Sequence, residues 1–441
     1  MNEIYLSSSG TLTKEQLSEY SSSIAEFLTR KNIRTAAIIC GKSPLVFSAI
    51  AGCLKAGVCY IPVDKNLPPE RMGAILKAAD FVLSDENLSE IVKTGAAFTE
   101  NDLSPDLPAY RIYTSGTTGN PKGITVTRKN VCNFLSWFEK IPAICETKPK
   151  SVLNQALFSF DLSVADIYYS LSAGARLTVL EKELVSDFPL LFDRMKKSKA
   201  QLAVFTPTFA EMCLCDNCFN QELMPELKVI FFCGEVLKGT TAQKLFDRFH
   251  GLRIVNGYGP TETTCAVTAM EITPEMTDKP LPIGDLNHRA GEVFLSESGE
   301  IVIAGNSVAS YSDGKGGFGE YKGMPCFYTG DMGHIKDNFL YFDGRRDRQV
   351  KIMGCRIELS DIENNLLKIE GVKQAAVTDI KIGGSTALSA YIVAEEGMTP
   401  ALVKKAIAKL VPSYMIPRKI QICDKIPVTP NGKTNRSVFN D

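Results

Sequence analysis

The chain has 441 residues, a formal net charge of −1, 44% hydrophobic and 22% charged side chains. That length exceeds one ordinary hydrophobic core, so two or three domains or subdomains are expected, with the composition of a globular protein. The near-neutral balance argues against a nucleic-acid partner, and no apolar run reaches the length of a membrane span, which argues against insertion. The N-terminus, Met1-Asn2-Glu3-Ile4-Tyr5, lacks the basic segment and apolar core of a signal peptide, and the 13 cysteines are an odd number scattered through apolar stretches. Both lead us to expect a reducing cytoplasm and no disulfide framework.

In chain order, 36–40 is a short apolar run ending at Gly41, as a buried strand would be. A helical pattern follows over 45–56 and stops at Gly57. A second strand is expected at 59–63, a helix at 71–79 and a third strand at 81–84. Strands alternating with helices predict parallel sheet covered by helices. The alternation resumes at 151–153, 176–180, 202–205, 229–232 and 253–255. The stretch 209–214 reads as helix and takes in Cys213, which with Cys215 and Cys218 spells C-x-C-x-x-C. A metal site would need a fourth ligand, and the chain has only His250, His288 and His334, so buried free cysteines are expected. Segments 292–311 and 338–357 are richer in alternating strands and turns, predicting an antiparallel or barrel-like section. Gly314, Gly316 and Gly319 match G-x-G-x-x-G, but no strand leads into them and no helix opens after them, so a mobile loop is expected rather than a dinucleotide site. A polar turn at 342–347 places a domain boundary near Asp347. Beyond it a helix at 357–367, two strands within 374–394 and a helix at 400–410 suit a small α+β domain. The expected fold is therefore α/β: a large N-terminal domain, 1–346, of sheets layered with helices plus a small barrel-like subdomain, and a small mobile C-terminal domain, 347–441.

One loop carries chemistry on its own. Residues 113–123 read Tyr-Thr-Ser-Gly-Thr-Thr-Gly-Asn-Pro-Lys-Gly. Glycines let backbone approach an anion closely; Thr114, Ser115, Thr117 and Thr118 add hydroxyl donors, Gly116 a free N–H, and Lys122 a positive charge. Such a loop is built for polyphosphate, although it is not a Walker A loop, whose spacing is absent. An ordinary surface turn would not need this density of Ser, Thr, Gly and Lys.

Five further segments accompany it in order. They are Leu54-Lys55-Ala56-Gly57 with Tyr60-Ile61-Pro62-Val63-Asp64; Gly257-Tyr258-Gly259-Pro260-Thr261-Glu262; Tyr328-Thr329-Gly330-Asp331; Gly344-Arg345-Arg346-Asp347-Arg348-Gln349-Val350-Lys351; and Pro430-Asn431-Gly432-Lys433. Together with the loop they resemble the adenylate-forming superfamily of AMP-forming acyl-CoA ligases, luciferases and nonribosomal adenylation domains, from about residue 12 to the end. The resemblance implies ATP and Mg²⁺, with a carboxylate attacking the α-phosphate and pyrophosphate leaving. It assigns Thr261 to the α-phosphate and Glu262 to Mg²⁺, a fitting ligand for a hard cation. Tyr258 would lie against adenine, with Gly234, Glu235 and Val236 on the other side. Asp331 would accept from the ribose hydroxyls, backed by Arg345. Lys433 would touch carboxylate and phosphate oxygens in the transition state, and Asp347 would be the hinge about which the small domain turns for thioester formation.

Asp161, in Phe158-Ser159-Phe160-Asp161-Leu162-Ser163-Val164, resembles the amino-acid-activating branch, where the aspartate pairs with the substrate ammonium. The alternative is that Asp161 merely caps the helix that follows. Within that branch, Thr206-Pro207-Thr208-Phe209-Ala210-Glu211-Met212-Cys213-Leu214 and Phe231-Phe232-Cys233-Gly234-Glu235-Val236-Leu237 resemble the D-alanine–D-alanyl carrier protein ligase family. Carried over, the pocket is Asp161, Leu162, Ala165, Thr208, Phe231, Cys233, Gly257, Cys265 and Ala266, which suits a small neutral amino acid. The implied partner is a separate phosphopantetheinylated carrier protein. Cys265 and Gly257 stand where those ligases have valine and threonine, and Asn435 replaces an aspartate after the lysine. A free-standing nonribosomal-peptide-type enzyme for glycine, L-alanine, serine or another small residue is the other reading, and an acyl-CoA ligase a third, against which Asp161 argues.

Overall fold

A computed structural model describes residues 2–115, 121–312, 318–346, 349–352, 354–382 and 385–427. The chain is a mixed α/β protein that divides into two units. One comprises Met1–Lys65, Ala78–Ile112 and Gly123–Arg346; the other comprises Asn66–Lys77, Tyr113–Lys122 and Asp347–Asp441.

The first unit holds three sheets. In the largest, Val229–Phe232 lies between Leu202–Phe205 and Arg253–Tyr258, and Ser151–Asn154 lies between Leu202–Phe205 and Arg176–Val179, all parallel. The strands Leu202–Phe205 and Val229–Phe232 are buried along their whole length, which is why they read as unbroken apolar runs. In a second sheet Thr35–Cys40 runs parallel between Cys59–Asp64 and Phe81–Leu83. The expected antiparallel section is a six-stranded sheet built around the long strand Met324–Lys336 and its partner Phe339–Arg345.

Several local expectations shift for physical reasons. The helix expected at 71–79 is Pro69–Leu76. It begins where two prolines pre-set the first turn, and Asp80 Oδ2 accepts from Arg34 and Thr35 N–H at 2.9 Å each, pulling the chain out of helix. Of the three clustered cysteines only Cys213 is buried; Cys215 and Cys218 are exposed. The helix Pro207–Cys213 ends there, and Arg248 holds the following turn at the surface through Leu214 O, Asp216 O and Asn217 Oδ1. Gly319 lies in a strand, Phe318–Tyr321, not in a loop; Gly314 and Gly316 fall outside the described residues. The missed signal is Lys322-Gly323, both at positive φ (51° and 77°), a two-residue hairpin turn joining Tyr321 to Met324. The strand Glu3–Ser7 extends the largest sheet by pairing parallel to Arg176–Val179, and Gly10–Thr13 closes its edge.

The second unit contains the hairpin Gln349–Ile352/Cys355–Glu358, the helix Leu359–Leu366, and a three-stranded sheet of Val372–Ile382, Ser385–Ala394 and Lys419–Ile422. Within it Arg71 makes a 2.6 Å ion pair with fully buried Asp361, whose other oxygen accepts from Asn365 Nδ2 at 2.9 Å. Both carboxylate oxygens of this buried acid therefore have a partner, as its desolvation requires.

Candidate adenylating site

Parallel strands deliver functional groups at their C-terminal ends, where the chain must leave the sheet. Four strands of the largest sheet do so here. Leu202–Phe205 is followed by Thr206 and Thr208; Val229–Phe232 by Cys233, Gly234 and Glu235; Ser151–Asn154 by the segment that ends at Asp161; and Arg253–Tyr258 carries Gly257 and Tyr258 within its own end. Thr206 caps the helix Pro207–Cys213, its hydroxyl accepting from Phe209 N–H at 3.3 Å, and Glu235 Oε2 accepts from Thr208 N–H at 3.0 Å. The loop after one strand is thus fastened to the helix after its neighbour. Val236 beside it is 59% exposed.

Both oxygens of Asp331 are held by hydrogen bonds. Tyr258 Oη donates to its Oδ2 at 2.6 Å, and the Arg345 guanidinium donates to its Oδ1. Arg345 stands opposite Asp331 across the hairpin, so strand register alone brings them together, and its other nitrogen donates to Thr329 O at 3.1 Å. Burial first, and then the Asp331 carboxylate, hold the Tyr258 hydroxyl well above the usual phenol range, so it remains a donor at neutral pH. Thr261 and Glu262 form a single 3₁₀ turn just beyond Tyr258, both buried. Tyr311 Oη donates to Glu262 Oε1 at 3.3 Å, and Glu262 O accepts from Ala309 N–H at 2.8 Å. Tyr311 has no sequence signal of its own; the pairing of its two-residue strand with Lys122–Thr127 and the Phe318 ring 4.9 Å away help position it.

The turn after Glu262 carries Cys265 and Ala266, both expected in the amino acid pocket. Thr264 and Cys265 have φ of 64° and 69°, a left-handed pair without glycine. A β-branched residue there is a real outlier, held by Thr264 Oγ1 donating to Ser307 O at 2.8 Å and by Val267 N–H closing onto Tyr258 O. The Cys233 thiol points at Cys265 O, 3.7 Å away. The Cys265 thiol is held well above its ordinary range by burial, then by Cys233 and by the Asp161 and Asp166 carboxylates. Gly257 is dictated by packing: a Cβ there would come 2.5 Å from Phe231 Cζ. The Phe231 ring in turn meets Phe138 edge-on at 5.0 Å. Leu162, Ala165 and Ala266 are buried, and Thr208 is half-buried.

Asp161 occupies the position before the helix Leu162–Ala173, yet its side chain makes no capping hydrogen bond and its backbone is already helical. Its carboxylate is half-buried rather than sealed in the core. Helix capping therefore does not account for an aspartate here.

Thr114, Ser115 and Lys122 of the expected phosphate loop belong to the second unit. There the Ser115 hydroxyl donates to Arg356 O at 2.9 Å and accepts from Glu358 N–H at 3.0 Å. Gly116, Thr117, Thr118, Asp347 and Lys433 lie outside the described residues. Among the described residues no group of three or more His, Cys, Asp or Glu could hold a metal ion by itself, and no helix is long and apolar enough to cross a membrane.

The chain is similar to known proteins over most of its length. The family model described as AMP-binding enzyme matches residues 2–84 and 80–311, and that of the AMP-binding enzyme C-terminal domain matches 361–433. A D-alanine–D-alanyl carrier protein ligase of Listeria innocua is 38% identical over 449 aligned positions, covering 90% of this chain and 87% of the relative. The protein of that name from Bacillus velezensis is 37% identical, covering 89% and 86%. In fold, the chain is similar to a Vibrio cholerae adenylation domain in complex with glycyl-adenosine-5′-phosphate, with TM-score 0.85, 22% identity, and coverage of 99% and 94%. A nonribosomal peptide synthetase protein containing adenylation and carrier domains gives TM-score 0.84 at 21% identity, covering 99% of this chain and 81% of that one. On the extent of the family match and of the identity to these ligases, the chain belongs to the AMP-binding enzyme family.

Proposed function

We propose that the protein activates D-alanine with ATP and passes it to the phosphopantetheine thiol of a separate carrier protein. In the first step a carboxylate oxygen of the amino acid attacks the α-phosphorus, the bond to the β-bridging oxygen breaks, and pyrophosphate leaves. In the second the thiol sulfur attacks the acyl carbon and AMP leaves, the thiol proton passing to solvent. The ligases that share 38% identity with this chain support the choice of substrate and partner. The observation that carries the reading is Asp161: a half-buried carboxylate with no capping role, beside a wall of neutral side chains. It is the counter-charge that an α-ammonium needs and a fatty or aryl acid would not.

Within this reading Thr261 contacts the α-phosphate, Tyr258, Gly234, Glu235 and Val236 flank the adenine, and Asp331 holds the ribose hydroxyls. Asp331 is suited to that task because Arg345 and Tyr258 fix both its oxygens in place. Thr114, Ser115, Gly116, Thr117, Thr118 and Lys122 hold the β- and γ-phosphates. Magnesium belongs to the proposal too: Glu262 is a buried carboxylate oriented by Tyr311, and one such oxygen donor completed by phosphate oxygens suits this cation. When bound, the ion would neutralise charge on the polyphosphate. Lys433 touches the reacting oxygens, Asp347 is the hinge, residues 1–346 and 347–441 are the two bodies it joins, and the compartment is the cytoplasm. ATP–pyrophosphate exchange with D-alanine, L-alanine, glycine and serine tests the reading. Exchange strongest with D-alanine is expected; preference for glycine, serine or L-alanine would leave the adenylation chemistry and remove the D-alanine assignment.

A further inference from the structure

Outside the site, a fully buried ammonium ties the two α/β sheets of the first unit together. Lys42 follows the C-terminal end of Thr35–Cys40 in the second sheet and is 8% exposed. Its Nζ donates to Asn154 Oδ1 at 2.6 Å, Gln155 O at 2.9 Å and Leu180 O at 2.8 Å, and it lies 5.8 Å from the centre of the Phe158 ring. Those acceptors sit at the C-terminal ends of Ser151–Asn154 and Arg176–Val179 in the largest sheet. Three donor hydrogens therefore meet three acceptors, which accounts for a lysine this deep in the core.

The network continues toward the pocket on both sides. Asn154 Nδ2 donates to Asp166 Oδ2 at 2.8 Å and to Ala156 O at 3.0 Å. Asp166 lies in the helix that begins at Leu162, one residue after Asp161. Gln155 Oε1 accepts from Thr206 N–H at 3.3 Å, at the start of the helix that carries Thr208. The segment 155–160 thus leaves one end of this network and sets down Asp161 while Asp166 anchors the following helix at the other. Burial pushes the Lys42 pKa down and the Asp166 pKa up; Asp166, Glu181 and Glu183 oppose the first shift, and the Asn154 hydrogen bond and Lys42 oppose the second.

We propose that Lys42 is a positioning residue for the amino acid pocket: through Asn154, Gln155 and Asp166 it fixes where Asp161 presents its carboxylate to the substrate ammonium. The proposal rests on the assignment of Asp161 above. A packing role alone would lower stability and impair both substrates together, whereas a misplaced Asp161 penalises the amino acid selectively.

The test uses the full-length protein in ATP–pyrophosphate exchange, titrating amino acid and ATP separately for the wild type, Lys42→Met and Lys42→Gln. Wild-type exchange with a small amino acid checks the functional reading first; its absence overturns that reading and the proposal with it. Given exchange, Lys42→Met should raise amino acid KM about tenfold while ATP KM stays within about twofold and kcat within about threefold. Lys42→Gln, which keeps two donor hydrogens, should show the same selectivity at smaller size. Equal rises in both KM values, a fall in kcat alone, or unchanged kinetics would overturn the proposal. If Lys42→Met loses cooperative thermal unfolding, Lys42→Gln decides by the same criteria; failure of both to fold makes Lys42 a stability residue and overturns it as well.

Discussion

At the scale of single residues, the consequence of Asp161 is a separation of the two substrates. On the proposed reading its carboxylate serves the ammonium alone, because the nucleotide is assigned to Tyr258, Thr261 and Asp331. Asp161→Asn should therefore raise the amino acid KM by about thirtyfold, the effect of roughly 2 kcal/mol lost from a charge pair, with ATP KM nearly unchanged. Loss of ATP affinity in steady-state exchange would make Asp161 structural. Cys233 raises a sharper question, since its thiol faces the backbone oxygen of Cys265, a residue assigned to the same pocket. With the ammonium and carboxylate of the substrate both fixed, the remaining freedom is where the methyl points. If the Cys233 side chain occupies the space of an L methyl, Cys233→Ala should admit L-alanine far better and leave D-alanine nearly unaltered. One misplaced methyl is worth about 1–3 kcal/mol, so the D/L ratio of kcat/KM should fall by roughly ten- to a hundredfold. An unmodified ratio would show that the selector lies elsewhere.

At the scale of elements, what could be read from the chain depended on whether the signal was local. The strands 202–205 and 229–232 are legible because burial on both faces demands unbroken apolar runs, and the structure places them at the stated residues. Lys42, Asn154 and Tyr311 were not legible, since a buried lysine or tyrosine announces itself only through partners more than a hundred, or about fifty, residues away. Gly257 lies between these cases. Its motif is visible in sequence, but the reason for glycine is the neighbouring strand: its Cβ would stand 2.5 Å from the Phe231 ring, itself pinned against Phe138. Overpacking of this kind costs about 1–3 kcal/mol, so Gly257→Ala should lower the melting temperature by several degrees. Adding Phe231→Leu should recover much of the loss. Strictly additive destabilisation in that double-mutant cycle would show that the two side chains do not compete for the same space.

At the scale of the whole molecule, the groups assigned to one reaction are divided between two units: Tyr258, Thr261, Glu262, Asp331 and Asp161 in the first, and the phosphate loop and the C-terminal region in the second. On the proposed reading both sets serve adenylation, and a chain that must catalyse two unlike steps gains if one set can be withdrawn for the second step. Lys433 is the residue on which this idea turns. Its motif, Pro430-Asn431-Gly432-Lys433, is legible in sequence while its position lies outside the described residues, so kinetics must supply the evidence. If Lys433 stabilises charge only as the α-phosphorus is attacked, Lys433→Ala should slow ATP–pyrophosphate exchange by about a hundred- to a thousandfold, equivalent to roughly 3–4 kcal/mol of transition-state stabilisation. Transfer of D-alanine from a preformed adenylate to the carrier thiol should proceed at nearly the wild-type rate in the same variant. Both halves are measurable in single-turnover experiments with purified protein and carrier. Near-normal exchange would remove Lys433 from the adenylation step. An equal loss in both halves would mean that the lysine serves a role common to the two reactions, and that the division of labour between the units does not run through it.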